Sequence, residues 1–126
     1  MPADQLALDL PMTTAAPALA RRALEGLGLG RRARETALLL GSELVSNAVR
    51  HSGATASETI HLCATVAGGA LRISVTDAGT GFAPAADPPE PGIAGGFGLL
   101  LVDRLADVWG VEYDPRTTVW LVLLLS

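Results

Sequence analysis

The chain has 126 residues and carries nine basic against thirteen acidic side chains, for a formal charge of −4. That length suits one domain with one ordinary core, and a hydrophobic fraction of 49% is too high for a disordered chain. Net acidity removes the nonspecific attraction to phosphate backbones, the single Cys63 excludes an intramolecular disulfide or thiolate zinc cluster, and no apolar run approaches the roughly 20 residues that span a bilayer.

The opening MPADQLALDLPM carries acids and lacks the basic stretch of a secretory signal. The expectation is therefore one cytoplasmic domain over residues 1–126, with no direct nucleic-acid or membrane role. All nine basic residues are arginine, and Asn47 is the only asparagine.

DQLALDLP alternates apolar and polar side chains and stops at a proline, which predicts a short edge strand. Thr13 or Thr14 can cap a first helix with Leu19, Ala23 and Leu27 on one face, stopped by Gly28 and Gly30. A second helix is predicted from about Arg32 to His51, where Leu40, Leu44 and Ala48 recur at helical spacing. ETIHLCATVA and ALRISVTD alternate on either side of Gly68-Gly69 and read as a β-hairpin.

Residues 78–96 are rich in Gly, Ala and Pro without periodicity, which predicts a long loop of the kind that carries function. A third helix is expected from Phe97 to about Asp107, then the strands VWGVEYD and TVWLVLL around the turn DPRT. This order predicts a two-layer α/β sandwich: a mixed, mainly antiparallel sheet with three helices on one face.

Three segments carry possible chemistry. On the second helix Glu43, Asn47, Arg50 and His51 fall on one face, opposite the apolar positions. A solvated helix face explains such a pattern, but asparagine is a poor helix former, and its carbonyl oxygen is a hard ligand suited to Mg2+. A carboxylate one turn earlier can orient or deprotonate a hydroxyl. Asp77-Ala78-Gly79-Thr80-Gly81 follows a strand, where the carboxylate can accept from a ligand N–H and the glycines permit close approach. A plain turn is the bland alternative. Gly95-Gly96-Phe97-Gly98 opens the third helix and offers free backbone N–H groups to an anion, although it is neither a Walker A loop nor a dinucleotide fingerprint.

In this order ELVSNAVRHSG (43–53), VTDAGTGF (75–82), GGFGLLLVDRLADVWGVE (95–112) and TVW (118–120) resemble the GHKL ATP-binding superfamily. The likeness is to its small bacterial branch, the anti-sigma-factor serine kinases, over about Leu19 to Leu125. It implies ATP and Mg2+ as cofactors. Glu43 matches the general base, and Asn47 the Mg2+ ligand at the phosphates. Asp77 matches the acceptor for the adenine amine, with Gly79 and Gly81 beside the base. Gly96 and Gly98 match the phosphate-wrapping glycines, Thr118 the threonine at the adenine end, and a lid over about 82–96. Arg50 and His51 extend the same helix face toward the triphosphate.

The resemblance implies a protein that sequesters a sigma factor and phosphorylates a serine of an anti-sigma-factor antagonist; homodimers are common in that branch. Two departures stand out: Phe97 replaces the branch's usual arginine, and Arg116-Thr117 replaces Gly-Lys. These leave open a nucleotide-responsive binding module without efficient kinase turnover, or a simple ATPase.

Four further features have ordinary explanations. His61 is expected at the surface or in a structural role, and Cys63, on the same strand face, is expected in the core. Trp109 and Trp120 read as packing anchors around the last hairpin. Arg21-Arg22 and Arg31-Arg32-Arg34 read as solvated faces that can also touch an acidic partner.

Overall fold

The computed structural model describes residues 4–51, 58–77, 97–112 and 116–125. Their elements run in the order β1 (Gln5–Pro11), α1 (Ala16–Leu24), α2 (Arg31–His51), β2 (Thr59–Ala67), β3 (Ala70–Asp77), α3 (Phe97–Leu105), β4 (Val108–Glu112) and β5 (Thr118–Leu124). One five-stranded sheet forms in the order β1-β2-β3-β5-β4. Every neighbouring pair is antiparallel, so the expected mixed sheet is a fully antiparallel one among the described strands.

Strand parity decides which side chains meet the helices. Ile60, Leu62 and Ala64 of β2, Leu71, Ile73 and Val75 of β3, and Leu121 and Leu123 of β5 all lie buried on one face. Leu40, Leu44 and Val45 of α2 and Leu24 of α1 join them in a single core. The β2–β3 hairpin turns on Gly68 and Gly69, whose φ of 59° and 76° are the left-handed values that a two-residue primed turn requires.

The first helix departs from the expected face. Its buried stripe is Ala16, Ala20 and Leu24, continued by Leu27, while Leu19 is an exposed hydrophobic. Small residues let α1 approach α2 closely: a Cβ added to Gly41 would collide with Leu24 Cδ1. The helix also ends at Leu24, before either glycine, and Thr13 is not its cap residue. Instead the Thr13 hydroxyl accepts from the Ala15 N–H at 3.2 Å.

Cys63 is also displaced from its expected place. It shares parity with exposed His61, so it lies half-buried on the sheet face turned away from the helices. His61 itself hydrogen-bonds through Nδ1 to Asp9 Oδ1 at 2.8 Å, tying edge strand β1 to β2.

Polar clasps hold the chain's last third. Trp109 Nε1 donates to Asp103 Oδ1 at 3.0 Å, fastening α3 to β4. The Leu124 N–H donates to Asp107 Oδ2 at 2.7 Å, and the Asp107 N–H to the Val122 carbonyl at 2.9 Å. Trp109 packs against the core, whereas Trp120 lies on the open sheet face. There its ring covers Gly110, with the Arg72 guanidinium 5.5 Å from the ring centroid.

Candidate functional site

The C-terminal half of α2 presents the first group of predicted residues. Glu43 and Asn47 are half-buried and one turn apart, and Arg50 is exposed one turn further on. His51 is the last residue of the helix. α2 packs on β3 and on α3, so these three elements frame one region.

Asn47 carries the most informative feature of that region. Its Oδ1 is buried and has no hydrogen-bond partner among the described residues. An unsatisfied buried acceptor costs about 1–3 kcal/mol, a cost expected where the group serves a ligand. A neutral amide oxygen is a hard donor, and the fit to Mg2+ is chemically sound. Among the described residues no three His, Cys, Asp or Glu side chains gather as a metal cluster. A cation at Asn47 would therefore take most of its ligands from phosphate oxygens and water, which suits the reluctance of Mg2+ to dehydrate.

Asp77 ends the central strand β3 with only 4% of its surface exposed. It follows the parity of Leu71, Ile73 and Val75, so its side chain points to the helix layer. Its backbone N–H donates to the Thr117 carbonyl at 2.8 Å, which extends the β3–β5 pairing by one residue. A carboxylate buried at a strand end, on the face that α2 covers, is placed to read a ligand's N–H groups.

Thr118 lies elsewhere. It is paired with Thr76, on the face opposite Asp77, and the two hydroxyls are 2.9 Å apart. The residue directly across from Asp77 is Thr117, whose side chain therefore shares the Asp77 face. Sequence reasoning passed over Thr117. The available signal was parity with the buried Leu121 and Leu123, which a Thr-Thr pair read by motif alone does not use.

Gly98 is the second residue of α3, at the helix start where unpaired N–H groups collect. Gly79, Gly81, Gly96 and the lid expected over about 82–96 lie outside the described residues. Among the described residues, no helix is long and apolar enough to cross a membrane.

Comparison with known proteins agrees with this architecture. A solved structure of the RsbU and RsbW domains of Rv1364c from Mycobacterium tuberculosis matches with a TM-score of 0.74 and 27% sequence identity. The match covers 98% of this chain and 33% of that one, so the chain spans about a third of the solved protein. No curated protein matches. The family model of the histidine kinase-like ATPase domain matches residues 7–123, nearly the whole chain. With the sheet, the helix layer and the matched length in agreement, the chain belongs to the histidine kinase-like ATPase domain family.

Proposed function

We propose that the protein binds ATP with Mg2+ between α2, the end of β3 and the start of α3, and transfers the γ-phosphate to a serine of a protein partner. The observation that carries this reading is the buried, unpartnered Oδ1 of Asn47, one turn after Glu43 on the same helix. Asp77 accepts from the adenine amine and Thr117 supports it from the neighbouring strand. Asn47 holds the cation, with Gly96 and Gly98 at the phosphates and Arg50 and His51 toward the triphosphate. Bound Mg2+ supplies charge neutralisation at the phosphate oxygens.

Glu43 takes the proton of the attacking serine hydroxyl. The serine oxygen forms its bond to the γ-phosphorus as the bond from that phosphorus to the bridging oxygen breaks, and ADP leaves with the electron pair. Positioning and electrostatics supply most of the acceleration, so ordered placement of Glu43 and Asn47 on one rigid helix is the protein's contribution.

The match to a protein with an RsbW domain supports a protein partner. The finer reading follows from the motifs: an anti-sigma-factor kinase that acts on an antagonist and holds a sigma factor, with a homodimer as the working assembly. A second reading is favoured by Phe97 and Arg116-Thr117, which replace the branch's usual Arg and Gly-Lys. Under it the protein is a nucleotide-responsive binding module with little turnover. ATP labelled at the γ-phosphate separates the possibilities. Label on a serine of an antagonist protein supports the kinase, free labelled phosphate without a partner supports a simple ATPase, and binding with neither supports the module.

A further inference from the structure

The arginines are distributed unevenly. Residues 21–35 hold five arginines and two glutamates, whereas the rest of the chain holds four arginines and eleven acids. All five arginines are exposed, and they surround the turn from α1 to α2. Among the described residues only Arg31 has an ionic partner, Glu35 at 3.5 Å, and both of those side chains are largely in solvent.

The two groups differ in what the fold gains from them. Arg21 and Arg22 occupy the last turn of α1, where a cation complements the helix dipole. Arg31, Arg32 and Arg34 occupy the start of α2, where the dipole is already positive, and no acid stands in that first turn. They oppose the local preference, and among the described residues their only compensating contact is that of Arg31 with the exposed Glu35. Residues that break a local rule without return inside the fold are expected to serve something outside it.

What lies beside them gives the direction. Arg32, Thr36, Leu39 and Glu43 fall within a strip about 60° wide on α2. Leu39 is 41% exposed there, an apolar side chain in an otherwise polar strip. By helical rise, Leu39 stands about 10 Å from Arg32 and about 6 Å from Glu43 along the axis. The strip thus runs from a basic corner, over one apolar contact, to the carboxylate assigned as the base.

We infer that this strip is the docking surface for the protein that presents the serine: an acidic segment on the α1–α2 corner, an apolar side chain on Leu39, and the hydroxyl delivered to Glu43. The inference rests on the reading of Glu43 given above and adds the partner's chemistry to it. The protein's own net charge of −4 makes a concentrated basic corner selective for acidic surfaces through steering and charge complementarity.

The test uses fluorescein-labelled peptides of about 20 residues, with an acidic run, a leucine and a serine in that order, against a counterpart in which glutamine replaces every acid. By anisotropy the acidic peptide binds at least about tenfold tighter at low salt, and the difference shrinks as the Debye length falls. Arg32→Glu with Arg34→Glu abolishes that preference, and Leu39→Asp weakens binding without changing ATP affinity. Arg72→Glu with Arg104→Glu, which alters net charge equally on other surfaces, leaves the preference in place.

Equal binding of the two peptides overturns the inference. So does equal loss in both double variants, which would mean net charge alone. Tighter binding of a single-stranded oligonucleotide that is lost with Arg32→Glu and Arg34→Glu assigns the corner to nucleic acid and also overturns it. ATP titration of the same samples tests the nucleotide reading separately, because none of these substitutions lies in the nucleotide site.

Discussion

The hydroxyls of Thr76 and Thr118 meet at 2.9 Å on the sheet face turned away from the helices, while Thr117 stands across from Asp77 on the face that the helices cover. Two adjacent threonines are thereby separated by the pleat of one strand. Only Thr117 faces the helix layer, where the nucleotide is proposed to bind.

Thr117→Val should therefore weaken ATP binding about tenfold, the loss of one buried hydrogen bond worth about 1–1.5 kcal/mol. Thr118→Val should leave ATP affinity unchanged and lower stability by no more than about 1 kcal/mol through the lost Thr76 contact. Isothermal titration beside chemical denaturation checks both. Loss of ATP binding in Thr118→Val alone would return the adenine role to Thr118.

Asn47→Leu removes the unpartnered acceptor. Without nucleotide its unfolding free energy should be unchanged or raised by about 1–3 kcal/mol, because the burial cost disappears. The stabilisation that ATP with Mg2+ gives the natural protein should be lost. Denaturation midpoints with and without ATP and Mg2+ provide the comparison. A ligand-free variant clearly less stable than the parent would make Asn47 a structural residue.

Gly41→Ala sets two effects against each other. Alanine improves helix propensity by about 1 kcal/mol, but its methyl collides with the fully buried Leu24. Overpacking of about 1–3 kcal/mol should win, giving a net loss. Shortening the opposing side chain with Leu24→Val should recover part of it, so the double variant is more stable than the sum of the singles. Strict additivity in a double-mutant cycle would contradict the close α1–α2 contact.

Gly110→Ala tests the open face of the sheet. A Cβ there would stand 2.8 Å from Trp120 Cζ2, and the rigid ring must tilt off the strand to admit it. A loss of about 1–3 kcal/mol is expected, with a change in tryptophan emission as the Arg72 stacking opens. Unchanged stability and spectrum would mean that the ring does not rest on Gly110.

Much of this molecule is legible in its sequence, for reasons that particular residues illustrate. Leu40 and Leu44 mark the core side of α2 because a long helix repeats its signal over several turns. Gly68-Gly69 mark the hairpin because few other residues accept left-handed angles. The α1 face was misread because Ala16 and Ala20 give a weak hydrophobic signal beside Leu19, although small size is what the close approach to Gly41 demands. Cys63 reads as a core residue by type, but strand parity turns it to the face away from the helices. The same parity puts Thr118 on the face opposite Asp77, which a motif alone does not show. The charge at the start of α2 was visible throughout, yet its conflict with the helix dipole has meaning only once Arg31 is known to begin the helix.

Kinase, ATPase and nucleotide-responsive module alike require one event, the binding of ATP. Calorimetric titration of ATP into the natural protein, with and without Mg2+ and alongside Asp77→Asn, tests it most directly. ATP binding strengthened by Mg2+ is expected, with at least about tenfold weaker binding in Asp77→Asn from the lost contact to the adenine amine. Absence of ATP binding by the natural protein, or equal affinity in Asp77→Asn, would contradict it.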